Sequence, residues 1–387
     1  VGAAERRARL VLRHRHAAAE RTDDVVAISD GLVALHSTDP VSVYLSTAAR
    51  MITPGLDALD RALYEDRTLI RHHSFRRTLW VFGHAVARVA HHSATLNLAK
   101  VQRRQLLKML AEGGVADPEG WLADAGTQVV DLLAASGPQT AREVGAKLPQ
   151  LALPVPVGSG KFATTAAAHS RVLLVLGFDG RVIRARPTGT WINGQYRYAA
   201  AEEWFPGGFD ADGTDPRAAA AELARRWLWT FGPGLATDLQ WWAGWTVATT
   251  KRALSDVGAV AVEIDEGTGY LLPDDVDPVG PAPPSVVLLP GLDPSTMGWK
   301  QRAFHLDPEH VPALFDRNGN GGPAIWVDGR IVGGWTQRKD GTIALGILTD
   351  VGAETTAAIE ERAHALETLL GPVRFTTRFP APQAKLL

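Results

Sequence analysis

The hydrophobic pattern of the chain changes period several times. In "GLDALDRALYEDRTL", Leu56, Leu59 and Leu63 fall at i, i+3 and i+7, the spacing of one buried helix face. The next stretch, "LIRHHSFRRTLWVFG", reads as strand, polar turn, strand. Helical spacing returns in "AKVQRRQLLKMLAEGG". There Leu106, Leu107 and Leu110 lie apart from a basic stripe of Lys100, Arg104 and Lys108 at i, i+4 and i+8. A stripe of this kind is either a solvated face or a track for phosphates.

Two later segments resemble each other. "GPQTAREVGAKL" from Gly137 and "GPGLATDLQWWAG" from Gly232 share Gly-Pro, two residues, Ala, one residue, an acid and an aliphatic. Each follows an apolar helical run ("VVDLLAAS", "LARRWLWTF"). Each precedes a further helix ("ATTAAAHSRVLLVLG", "TVATTKRALSDV") and strand-like residues ("RVIRARP" and "TWINGQYRY"; "AVAVEID" and "GYLLP"). Helix, short helix, longer helix and two strands is the order of a winged helix-turn-helix. The segment around Leu56–Gly83 predicts an earlier third copy.

From "PAPPSVVLLPGLDPSTMGW" onward the pattern becomes strand-rich, with Asp-Gly turns at Asp328-Gly329 and Asp340-Gly341. A helix near Ala353–Leu370 and a last strand, "VRFTTRF", are predicted to close the chain. The predicted fold is α+β: three tandem winged-helix motifs, then a β-rich, barrel-like domain. The predicted bounds are 1–120 (N-terminal helices and first winged helix), 121–205 (second), 206–283 (third) and 284–387 (β-rich domain).

Length and composition set limits on this picture. At 387 residues, 45% apolar and 21% charged, the chain is globular and long enough for several structural units. It has no Cys, which excludes disulfides and thiolate metal sites and fits a reducing cytoplasm. No apolar run is long enough to span a membrane. The net charge of −2 counts mildly against nucleic acid, but positive charge is concentrated early, in "ERRARLVLRHRH", "RHHSFRR" and "KVQRRQLLK".

Several motifs invite chemistry. "VGSGKFATT" resembles a phosphate loop but lacks the first Gly and the Ser or Thr after Lys161. It reads instead as a loop in which Lys161 reaches a phosphate at most. The pairs His72–His73 and His91–His92 lack the company of a metal site, so no metal or other cofactor is expected. "RHHSFRR" stands where a wing would be. Arg71, His72, His73, Arg76 and Arg77 suit a phosphate backbone, and Phe75 at the tip suits stacking or wedging against a base. In "GLVALHSTDPVSVYLSTAAR", Asp39 is a good helix N-cap and Pro40 fits the first helical turn. His36, Ser37 and Thr38 would then lie in a tight helix–helix joint, and capping does not explain His36.

That last segment, the winged-helix order, "LLPGLDPSTMGWKQR" and "WVDGRIVGGWTQRKDG" together resemble the AlkZ-type (YcaQ-like) family of winged-helix DNA glycosylases, over nearly the whole chain. The resemblance implies a C-shaped scaffold around DNA. It also implies water-driven release of N7-alkylated purines, or unhooking of interstrand crosslinks, without a Schiff base. Where the family carries Gln, an apolar residue, then Gln or Asp, this chain carries His36, Ser37 and Thr38. His36, Thr38 and Asp39 are therefore the candidate catalytic residues: imidazole and hydroxyl to hold a water, carboxylate to stabilise a cationic sugar. Ser37, Lys300 and Arg302 join the wing residues, Lys100, Arg104 and Lys161 as candidate DNA contacts. The expected partner is double-stranded DNA, alkylated or crosslinked, bound by a cytoplasmic, nucleoid-associated monomer. Two other readings stay open: a non-catalytic winged-helix DNA-binding protein, and a genotoxin-binding resistance protein using Trp241, Trp242 and Trp245.

Overall fold

The computed structural model describes residues 1–157, 164–210 and 213–387. Its centre is the helix Pro40–Ala48, all of whose residues are buried. The burial of its polar residues has a pattern. Ser42, Ser46 and Arg50 recur at i, i+4 and i+8 and face the segment after Pro290. Ser42 Oγ donates to the Gly291 carbonyl, and Ser46 Oγ donates to Asp293 Oδ2 at 2.6 Å.

Arg50 completes the stripe. Its two terminal nitrogens grip the two Asp293 oxygens at 2.8 Å each. They also donate to the Ser46 carbonyl and Ser295 Oγ, while Nε donates to the His14 carbonyl. Every guanidinium N–H thus has an acceptor, and neither side chain of the pair is exposed. Asp293 also accepts from the Ser295 amide, which starts the short helix Pro294–Met297.

Strands β1 (Leu35–His36), β3 (Thr78–Gly83) and β2 (Leu69–Ser74) form an antiparallel sheet in that order. A helix–helix joint at His36–Thr38 implies that the residues after Gly31 continue the preceding helix. The structure corrects this: the helix Val25–Gly31 stops, Val33 takes φ 65°, and the chain extends to pair His36 with Trp80.

The next unit runs through the helices Leu96–Glu112, Pro118–Ser136 and Ala141–Lys147. It continues with the hairpin β4–β5 (Pro154–Val157, Thr164–Ala167), the helix Ala168–Phe178 and the pair β6–β7 (Val182–Pro187, Tyr196–Ala200). Of the helix predicted over "ATTAAAHSRVLLVLG", Thr164–Ala167 form a strand instead, and Ala163 lies outside the described residues. The third unit repeats the order with helices Pro216–Phe231, Ala236–Ala243 and Val247–Asp256, and a sheet of β8 (Gly234–Leu235), β10 (Gly267–Leu271) and β9 (Val260–Ile264).

The C-terminal region is a four-stranded antiparallel sheet, β11 (Val286–Leu289), β12 (Ala324–Val327), β13 (Arg330–Gln337) and β14 (Ile343–Ile347), backed by the helix Ala353–Leu370. It has two edges and no closure among the described residues, so a barrel does not form. The Asp328-Gly329 turn has both residues at positive φ, 47° and 75°, the geometry of a tight hairpin. The last predicted strand, "VRFTTRF", is absent. Two of its amides bond to side chains instead: Phe375 N to Gln337 Oε1 and Arg378 N to Asp39 Oδ2.

One apolar cluster links the N-terminal helices, the third unit and the β12 face. The second unit packs a separate core around Leu110, Val129, Leu173 and Leu176. No helix among the described residues is long and apolar enough to cross a membrane.

Burial alone would raise the Asp293 carboxyl. The Arg50 charge and the hydrogen bonds from Arg50, Ser46 and Ser295 outweigh it and hold the group below the ordinary carboxylate value. Its contribution to stability is therefore present above the unfolded-state pKa of about 4 and is lost as pH falls through the lower, folded value. Asp293→Asn is expected to cost about 3–5 kcal/mol in urea unfolding at pH 7, because it leaves Arg50 as an unpaired buried charge. A cost below about 1 kcal/mol would show that the pair does not hold the core.

Candidate nucleic-acid interface

The loop His36–Asp39 connects β1 to the central helix. Asp39 caps that helix: Oδ1 accepts from Val41 N at 3.2 Å. Its other oxygen accepts from Arg378 N at 2.9 Å. Burial raises the Asp39 carboxyl, against those two backbone hydrogen bonds and the Arg378 charge. Both oxygens thus hold backbone amides, and Asp39 is not among the residues lining the adjacent cleft.

His36 is buried against Trp80, with ring centroids 4.4 Å apart, and its Nδ1 accepts from Thr38 N at 3.4 Å. Burial, followed by the nearby Arg76 charge, lowers its pKa to about 3, so the ring is neutral at physiological pH. Ser37 Oγ accepts from Arg71 Nε at 2.7 Å, and Ser37 N donates to the Leu79 carbonyl. Thr38 Oγ1 is buried with no hydrogen-bond partner among the described residues.

Ser37 and Thr38 open onto a cleft of about 750 Å³ between the first and second units. Four arginines line it (Arg77, Arg142, Arg184 and Arg378), along with Tyr196, Tyr198 and His73; no carboxylate does so among the described residues. Arg184 lies 3.9 Å over the Tyr198 ring and donates to His73 Nε2 at 3.3 Å. Burial, then Arg184, lowers the His73 pKa to about 3. A cleft of this charge, with half-buried aromatic rings, suits a phosphodiester chain carrying bases that can stack.

Of the residues predicted from sequence, the structure brings Ser37, Thr38, His73 and Arg77 to this cleft. It corrects the rest of the wing. Phe75 is not at an exposed tip but fully buried on Trp242, 4.5 Å between centroids, and Trp80. His72 is buried against His91 and Phe209. Arg71 is buried under the floor, donating to Tyr64 Oη and lying 4.5 Å from the Tyr196 ring centroid. Arg76 lies over Trp241 at 4.2 Å, where burial lowers its pKa to about 10. The cause is the turn itself: Arg76 and Arg77 both take positive φ, which folds the tip back onto the third unit.

Arg302 lies over Phe315 at 4.5 Å and near Trp241, and burial lowers its pKa to about 10. Lys300 is exposed beside it, its amide held by the Asp238 carboxylate. Neither lines the cleft, and neither do the exposed Lys100 and Arg104. Lys161 lies outside the described residues. The tryptophans offered for a drug-binding face do not form one: Trp242 and Trp245 are buried, and Trp241 is covered by arginines.

Sequence reasoning missed Arg142, Arg184, Tyr196, Tyr198 and Arg378. A signal existed for the tyrosines, since "YRY" puts both on one face of a strand.

The lowered His36 and His73 pKa values lie below the unfolded value of about 6.5. The unfolded chain therefore binds more protons below that pH, and stability is lost as pH falls from about 6.5 toward 3. In an NMR titration, the His36 and His73 ring carbons are expected to hold constant shifts from about pH 8 to 5. A midpoint near 6.5 for His36 would contradict its buried, neutral placement.

Comparison with known proteins follows this geometry. No curated protein matches the chain. A solved structure of the DNA glycosylase AlkZ from Streptomyces sahachiroi shares the fold, with a TM-score of 0.72 at 17% identity, covering 97% of this chain and 98% of that one. The family model for DNA glycosylase AlkZ-like proteins matches residues 30–369, a span that includes the loop, the cleft walls other than Arg378, and the central helix. The chain belongs to the AlkZ-like DNA glycosylase family.

Proposed function

We propose that this protein is a monofunctional DNA glycosylase that binds duplex DNA along the arginine-lined cleft and releases an N7-alkylated purine by hydrolysis. The observation that carries this reading is the position of the Ser37–Thr38 loop. Of the triplet that stands where the resemblance puts the family's catalytic residues, Ser37 and Thr38 open at the floor of a basic, tyrosine-bearing cleft. The similar tandem units support the reading of winged-helix modules that grip the duplex.

An N7-alkylated purine already carries the positive charge that its departure removes. Water attacks C1′, the glycosidic electron pair leaves with the base and neutralises it, and the water proton passes to solvent. No protein acid is needed at the leaving group. What remains is to hold the water and to tolerate positive charge on the sugar. Thr38 has an unpartnered hydroxyl for the first task, which is buried at the cleft floor and turns toward the water when DNA is bound. Neutral His36 orders the loop through the Thr38 amide and offers no proton at neutral pH. With Asp39 holding backbone amides and no carboxylate lining the cleft among the described residues, the DNA phosphates carry the second task.

The deciding assay uses duplex DNA carrying one N7-methylguanine or an interstrand crosslink. Wild type is expected to release the base. Thr38→Ala is expected to lower the single-turnover rate by about 100-fold. Arg77→Ala and Arg142→Ala are expected to weaken binding and reduce the salt slope by about one unit each. Release that is indifferent to Thr38→Ala and His36→Ala would remove the site assignment. Salt-dependent binding without any release would favour a damage-recognition protein instead, a reading that the replaced glutamines support.

A further inference from the structure

The segment after the last helix makes an unexpected connection. Arg378 gives its backbone N–H to Asp39 Oδ2 at 2.9 Å, and its Nη1 donates to the Thr38 carbonyl at 3.0 Å. It also lines the cleft and lies against Gly194, in the loop between β6 and β7. A Cβ built at Gly194 would come within 2.0 Å of Arg378 Nη2. One residue thus ties the Thr38–Asp39 loop of the first unit to a loop of the second. It lies beyond the residues that the family model matches.

We infer that Arg378 is a positioning residue, a latch that fixes the Ser37–Thr38 loop in the conformation that faces the cleft. The loop needs one. Ser37 is held by its amide bond to Leu79 and by Arg71 Nε on its hydroxyl, but the Thr38 amide has only the long contact of 3.4 Å to His36 Nδ1. The Thr38 carbonyl takes its bond from Arg378 alone among the described residues that donate side-chain hydrogen bonds to it. Holding a carbonyl from the far side sets the peptide plane, and the peptide plane sets where the Thr38 side chain is aimed. Misplacement of a water-holding group by about 1 Å is enough to slow a reaction by orders of magnitude.

The catalytic consequence rests on the function proposed above, so the first readout is independent of activity. Hydrogen exchange of the amides of Ser37, Thr38, Asp39 and Val41 is measured in the wild type, in Arg378→Ala and Arg378→Lys, and in Gly194→Ala. Gly194→Ala displaces the guanidinium from the opposite side without touching the loop. Exchange is expected to rise several-fold in Arg378→Ala and Gly194→Ala, and to be partly restored in Arg378→Lys. At saturating protein on N7-methylguanine duplex, where a lost phosphate contact no longer limits the reaction, the first two variants are expected to lower the single-turnover rate by about tenfold.

Unchanged exchange in Arg378→Ala overturns the latch. So does weaker binding with a reduced salt slope and an unchanged rate, which would make Arg378 a simple phosphate contact. A wild type that releases no base refutes the proposed function, while the exchange measurement still decides the latch.

Discussion

A guanidinium with no exposed surface sits at the centre of this molecule, and its opposite charge arrives 243 residues later in the chain. An isolated buried charge of this kind would be prohibitively unfavourable. The Arg50–Asp293 pair persists because each of its hydrogen-bonding groups is matched, by the partner, by two serines or by a backbone carbonyl. That requirement constrains three pieces of chain at once. The N-terminal helix must present the His14 carbonyl, the central helix must present Ser46, and the turn after β11 must present Ser295. Register errors in any of them leave a charge unmatched, so the pair specifies the arrangement as well as stabilising it.

The site follows from this anchoring. The central helix is held at its C-terminal end by Arg50, so the position of its N-terminus is fixed to within the stiffness of nine residues. Asp39 and Pro40 begin the helix, and the loop His36–Thr38 emerges from it at the seam between two units with separate cores. The seam is basic because the facing strands, β2 with its turn and β6–β7, carry Arg77 and Arg184, neither of which has an ion-pair partner among the described residues. Arg186, by contrast, faces outward to Asp60 and Glu65, and Arg197 pairs with Glu143.

Much of this was legible in the sequence. The helix at Leu56–Leu63, the repeated helix order after Gly137 and Gly232, both Asp-Gly turns and the Asp39 cap follow from local rules, and local rules were sufficient there. The failures share a cause. Phe75 between basic residues reads as an exposed tip, because nothing nearby in sequence reveals that Trp242 will cover it. The basic residues of one short wing separate into a buried Arg71, a stacked Arg76 and an exposed Arg77. Alternation on a strand and two successive residues at positive φ decide which is which. Arg378 was hidden in the same way. "VRFTTRF" has good strand residues, but a distant glutamine and carboxylate take two of its amides, and nothing nearby in sequence reveals them.

The clasp on Asp39 spans 339 positions of sequence. The second unit has its own core and can fold as it leaves the ribosome, but the first unit cannot close around Arg50 until Asp293 has been made, and the loop at the cleft floor gains its last restraint only with Arg378. The cleft between the two units is therefore among the last parts of the molecule to take shape, a form of timing written into the connectivity.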